Sequence, residues 1–156
     1  MDNLNNFQQW RNASFEEAFR QAQKSLSEGG VPVGASLEKG GALVGSGHNE
    51  RVQSGDPVAH GEISCLRRVG RQRSYAETVL YTTLAPCAMC AGAIIQFGIP
   101  VVVVGESRTF PGELELIRSR GVKVVELDDP RCAGLMREFQ ERFPGVWAED
   151  IGEAGA

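Results

Sequence analysis

Apolar and polar positions along this chain follow two periods, and each change of period marks an element. Phe15, Ala18, Phe19, Ala22 and Leu26 recur at three- and four-residue steps, one stripe of a helix. Ser14 with Glu17 three residues later reads as a capping box that opens this helix, and Gly29-Gly30 stops it. VPVGASLE (31–38) and ALVGSG (42–47) read as strands joined by a turn at Lys39-Gly40-Gly41. A second helix is expected from about Ala59 to Val69, ending at Gly70. TVLYTTL (78–84) reads as a buried strand, and 87–97 has helical composition with Pro86 pre-set for its start. VVVVGE (101–106) is a continuous β-branched run, suited to a sheet covered on both faces. A short helix over 112–120, a strand over 122–127 and a helix over 131–142 follow, the last with Leu135, Met136 and Phe139 on one side.

Neither a long linker nor an internal repeat interrupts this series, so 1–156 reads as one domain. Strand–helix–strand units predict an α/β fold, a three-layer α/β/α sandwich around a mixed five-stranded sheet. Its opening hairpin is antiparallel, and helical crossovers make the later strands parallel. A chain of 156 residues with 42% apolar and 23% charged residues buries a real core. The net charge of −4 gives no footprint for a polyphosphate, so no nucleic-acid partner is expected. Four scattered cysteines are too few and too irregular for a disulfide-stapled module. MDNLNNFQQWRN lacks the order of a signal peptide. AIIQFGIPVVVVG is broken by Gln96, Gly98 and Pro100, so no membrane span is expected. A cytoplasmic enzyme is the expectation.

The chemistry concentrates in APCAMC, where Cys87 and Cys90 stand three positions apart behind Pro86. That spacing serves dithiol redox chemistry as readily as a metal. His60 and Glu62 decide between them. Both AHGEI and PCAMC sit at the start of a predicted helix, on either side of one strand. Helix N-termini lower thiol pKa, and the thiolate is the form that binds metal. Two thiolates and one imidazole suit zinc, and three protein ligands leave the open position of a catalytic site. Cys65, five positions after His60, points away from it as a fourth ligand; Cys132 lies far along the chain and stays open. A thioredoxin-like reading leaves His60 and Glu62 unexplained. The order His-x-Glu … Pro-Cys-x-x-Cys resembles the general signature of zinc-dependent base deaminases.

VPVGASL, GHNERVQSGDPVAHGEIS, LYTTLAPCAMCAGAII, GIPVVVVGE and VWAEDIGE together resemble the fungal-type cytosine deaminases of the cytidine deaminase-like superfamily. The resemblance runs from about Phe15 to Glu153. It implies a homodimeric α/β/α enzyme that deaminates cytosine, and 5-fluorocytosine, with one zinc per subunit and no organic cofactor. It implies that His60, Cys87 and Cys90 hold the metal and that Glu62 shuttles the proton. It places substrate binding on Asn49 and Asp150, with pocket walls at Val33, Leu84, Phe110 and Trp147. Read alone, Asn49 suits a turn, Trp147 suits packing, and Asp150 suits a solvated acidic tail. Ala85, Ala88 and Pro111 depart from the residues common in those relatives.

The segment 145–153 is expected to be a lid. Phe143-Pro144-Gly145 breaks the preceding helix, and on one further turn Trp147 and Asp150 face the same side. Three rivals share parts of this reading. A deaminase of guanine, isocytosine, creatinine or a triazine keeps the same zinc core. An RNA adenosine deaminase fits the acidic chain and its closing segment poorly. A non-catalytic zinc module needs a fourth ligand and no use for Glu62.

Overall fold

The computed structural model describes residues 7–153. The expectations for 1–6 and 154–156 lie outside the described residues. The chain forms α1 (Ala13–Ser27), β1 (Gly34–Lys39), β2 (Ala42–His48), α2 (Arg51–Ser54), α3 (Gly61–Val69) and β3 (Thr78–Leu84). It continues through α4 (Ala88–Phe97), β4 (Val101–Glu106), α5 (Leu114–Ser119), β5 (Lys123–Glu126), α6 (Pro130–Arg142) and α7 (Pro144–Asp150). The strand order is β2-β1-β3-β4-β5. No helix among the described residues is long and apolar enough to cross a membrane.

The expected sandwich is present, with the opening hairpin antiparallel and the later strands parallel. β1 is antiparallel to both neighbours, β2 and β3, while β3–β4 and β4–β5 are parallel. The crossover through α3 therefore carries the chain over β1, and β2 and β3 run the same way with β1 between them. Side chains alternate through the sheet with period two. Leu37, Leu80, Val102 and Val104 pack with Leu66, Ile94 and Ile117 of α3, α4 and α5. Tyr81, Val103 and Val125 pack on the opposite face with Phe15 and Ala18 of α1 and Cys132 of α6. A third cluster at one end of the sheet joins Val31, Val33 and Leu84 to Met136, Phe139 and Trp147.

One local expectation is corrected. The cap of α1 is Asn12, whose side chain accepts from the Phe15 N–H at 3.0 Å, rather than Ser14. Asn12 wins because its amide also donates to the Tyr81 hydroxyl at 2.8 Å, which ties the cap to β3. Ser14 is buried in the first turn, and Glu17 is occupied by Arg20, Gln21 and Ser46. The short α2, closed by Gly55 at φ 69°, was not expected.

One close approach sets the site. A Cβ on Gly47 would lie 2.6 Å from the Cys65 nitrogen and 2.8 Å from the Ser64 carbonyl carbon, so α3 rests directly on the backbone of β2. Gly47→Ala forces the two apart. Overpacking of this kind costs about 1–3 kcal/mol, and urea unfolding is expected to show that loss.

Candidate active site

β2 and β3 point the same way, so the helices that follow them start at the same edge of the sheet. His60 is the N-cap of α3 and Cys87 the N-cap of α4, both with extended backbone. Neither side chain caps its own helix, which leaves both free to turn toward each other. His60 Nδ1 and Cys87 Sγ come within 3.4 Å. One turn into α4, the fully buried Cys90 completes the group, and the three ligand atoms lie within 4.8 Å of one another.

This donor set could hold a metal ion. Two sulfurs and one imidazole nitrogen favour zinc over the hard cations. Cys87 is already poised as a thiolate: hydrogen bonding from Cys90 brings its thiol down to about 4 against the opposing effect of burial, with help from His60 and the Cys90 N–H. Cys90 moves the other way as the donor of that pair, and burial adds to the rise. Burial opposes charge on His60, but the Cys87 hydrogen bond and the Asp150 and Glu62 carboxylates together raise it to about 9.

Glu62 stands beside this cluster on the first turn of α3. It is 3% exposed, and its Oε1 has no hydrogen-bond partner among the described residues. Burial, then the Cys87 charge, pushes its carboxyl above the ordinary range. A buried carboxylate oxygen left unpaired is costly, so this atom is suited to a donor supplied by whatever fills the site. Cys65 and Cys132 stay outside. Cys65 is buried, with its sulfur 3.8 Å from the Gly45 carbonyl, and burial pushes its thiol up to about 12. Burial raises Cys132 as well, on the core-facing side of α6.

The sequence-derived residues converge on one cavity. Val33, Leu84, Asn49, Asp150, Phe110 and Trp147 line it together with His60, Glu62 and Cys87. Cys90 lies behind the wall with its sulfur in the ligand group. Asn49 donates from Nδ2 to Asp150 Oδ1 at 3.2 Å, while its Oδ1 accepts from the Arg51 N–H at 3.0 Å. Asp150 Oδ1 also lies 3.7 Å from His60 Nε2, and burial raises the Asp150 carboxyl against the pull of His60. Trp147 meets Phe110 edge-on with ring centroids 6.0 Å apart. α7 carries both Trp147 and Asp150 inward, as the helical spacing predicts. The cavity measures about 20 Å³, room for a single water-sized molecule.

Three lining residues escaped the sequence reading as walls: Gly61, Ala85 and Ile151. Ile151 lies four positions after Trp147, a helical step that signals it. A Cβ on Gly61 would lie 2.8 Å from the Val33 carbonyl oxygen, a tertiary contact that spacing does not show. Of the departures, Ala85 is buried against the cavity, whereas Ala88 and Pro111 are exposed.

Residues 8–106 match the family model for the cytidine and deoxycytidylate deaminase zinc-binding region, a span that holds His60, Glu62, Cys87 and Cys90. The chain is 45% identical over 139 residues to a cytosine deaminase of Candida albicans, covering 87% of this chain and 93% of that one. Among solved structures it resembles a protein from a study of tRNA:A34 deaminases, with TM-score 0.69 and 25% identity over 78% of this chain and 97% of that one. A guanine deaminase from Nitrosomonas europaea shares the fold, with TM-score 0.66 and 23% identity over 83% and 84% of the two chains.

Metal content reads the donor set directly. Cys87→Ala and Cys90→Ala are expected to lose the zinc that the wild type carries at one per chain, measured by elemental analysis. Cys65→Ser and Cys132→Ser are expected to keep it.

Proposed function

We propose that this chain, which belongs to the cytidine and deoxycytidylate deaminase zinc-binding family, converts free cytosine and water to uracil and ammonia. It is a zinc-dependent deaminase, a hydrolase of the carbon–nitrogen bond. The observation that carries the proposal is the Glu62 Oε1, without a hydrogen-bond partner among the described residues, beside His60, Cys87 and Cys90 in a cavity lined by Asn49, Asp150 and Trp147. Held by His60, Cys87 and Cys90, zinc when bound supplies the Lewis acidity that makes water a nucleophile at neutral pH.

Glu62 moves the protons. It takes one from water as the water oxygen bonds to C4, and delivers it to ring N3. It then carries the proton of the new C4 hydroxyl to the amine, the C4–N bond breaks, and ammonia leaves behind a carbonyl. One carboxylate serves as base and acid in turn. Its raised carboxyl, set by burial, suits that exchange.

Asn49 and Asp150 orient the ring. With Asn49 Oδ1 held by the Arg51 N–H, its Nδ2 is the end offered toward Asp150. A ring that enters between them must present a carbonyl to Nδ2 and an N–H to the carboxylate. Cytosine carries both. Val33, Leu84, Phe110 and Trp147 wall the ring and keep bulk water out. The 145–153 segment is the lid of this reading, because a cavity of about 20 Å³ admits a ring only when it opens. A nucleoside carries a ribose for which the closed site has no room, so free bases, including 5-fluorocytosine, are the substrate class.

The same proposal places the enzyme in the cytoplasm as a homodimer. α4 leaves Met89 at 36% and Phe97 at 46% exposed, and Phe97 stacks on Tyr75 beside an apolar groove that includes Ile63. A second copy would cover that face.

Glu62→Gln is expected to keep its zinc and lose activity by at least about 10²–10⁴-fold, the usual cost of one acid–base group. Ammonia release from cytosine, with zinc measured on the same sample, checks it. Truncation after Pro144, or Asp150→Ala, is expected to retain zinc and collapse kcat/KM for cytosine. An ammonia panel of cytosine, guanine, cytidine and adenosine should show cytosine well ahead. Preference for guanine or a nucleoside would move the assignment to another branch of the family.

A further inference from the structure

His48 is the other of the chain's two histidines, and the reaction above does not use it. It ends β2, is 1% exposed, and meets an oxygen at each ring nitrogen. Nδ1 lies 2.7 Å from Gln21 Oε1, and Nε2 lies 2.9 Å from Glu28 Oε1. Glu50 Oε1 is farther from Nε2, at 3.7 Å, and is engaged by Arg68 at 2.7 Å.

The neighbours assign the hydrogens. Glu17 Oε1 receives Gln21 Nε2 at 3.0 Å and the Ser46 hydroxyl at 2.8 Å. The Arg20 hydrogen bond holds the Glu17 carboxyl at about 2, so it is ionised and can only accept. Gln21 must turn its nitrogen to Glu17 and its oxygen to His48, and an amide oxygen also only accepts. Nδ1 therefore carries a hydrogen. On the other side, burial works against charge on Glu28, but hydrogen bonds from Gln53 and His48, with Lys24 nearby, bring its carboxyl below the ordinary value. An ionised Glu28 makes Nε2 a donor as well.

We propose that His48 is a positioning residue for the deamination: by donating from both ring nitrogens it fastens the end of β2 to α1 and holds the adjacent Asn49 against Asp150. This rests on the reading of Asn49 as a substrate-binding residue. The fastening continues into Asn49 itself. Its carbonyl accepts from the Ser25 hydroxyl at 2.8 Å and from Gln53 Nε2 at 3.1 Å, and Gln53 Nε2 reaches Glu28 at 3.3 Å. Glu28 thus links the ring to the backbone of the next residue. A side chain with one donor serves one side of the clamp and leaves a buried acceptor unmatched on the other.

The decisive measurement is the long-range ¹H–¹⁵N spectrum of zinc-loaded wild type at neutral pH. Both ring nitrogens of His48 are expected to show the shifts of protonated nitrogen; one bare nitrogen overturns the proposal. Steady-state kinetics add the functional arm. His48→Gln is expected to raise KM for cytosine and lower kcat/KM about 10–100-fold, the scale of a small misplacement in a site, while zinc stays at one per chain. Glu28→Gln keeps an acceptor for Nε2 and is expected to stay close to the wild-type kcat/KM, whereas Glu28→Leu follows His48→Gln. Unchanged KM in His48→Gln, or activity lost in proportion to zinc, overturns the positioning role. Wild type that releases no ammonia from cytosine overturns the substrate reading instead, and the nitrogen spectrum still decides whether His48 donates on both sides.

Discussion

Everything in this site depends on β2 and β3 running the same way with β1 between them. That arrangement brings the carboxyl ends of two strands to one edge of the sheet, and each strand is followed by a helix that begins there. Open α/β sheets bind ligands at such ends because helix starts and their free N–H groups collect there. Here the two N-caps are His60 and Cys87. Bare backbone at Gly47 and Gly61 lets α3 settle against β2 and the Val33 carbonyl. A few tenths of an ångström at either glycine would be transmitted to the His60 imidazole and to Glu62.

The closing helix is held by forces of unequal size. Arg51–Glu149 is a partly exposed ion pair at 2.8 Å, with Glu149 59% exposed, and such pairs contribute about 0–1 kcal/mol. Trp147 is buried against Phe110 and the cluster at the sheet end, and an aromatic of that size contributes several kcal/mol. Apolar burial keeps α7 down, and the Asn49–Asp150 hydrogen bond sets its direction. A ring in the site would replace the polar contact while adding to the apolar one.

Much of this was legible in the chain. The Val101–Val104 run, the Phe15–Ala18–Ala22 stripe and the His60-x-Glu62 and Cys87-x-x-Cys90 spacings each carry a period or a chemistry that neighbours along the chain supply. The insertion of β1 between β2 and β3 was not legible, because strand order is a choice among distant partners. Asn12 displaced Ser14 as the cap through a contact with Tyr81, 69 positions away. His48 sits among Gln21 and Glu28, 27 and 20 positions distant, so nothing local distinguished it from an ordinary strand end. Sequence spacing revealed the groups that act on one element. It was silent on those that act by bracing another.

The order of these pieces along the chain has a consequence for synthesis. His60, Glu62, Cys87 and Cys90 all precede residue 91, and Asn49 precedes them, whereas Trp147 and Asp150 come more than fifty residues later. A chain made N-terminus first, at about 5–20 residues per second, contains His60, Cys87 and Cys90 several seconds before α7, which lines the same cavity, is made. During that interval the donor residues exist without the α7 wall that lines their cavity in the complete fold.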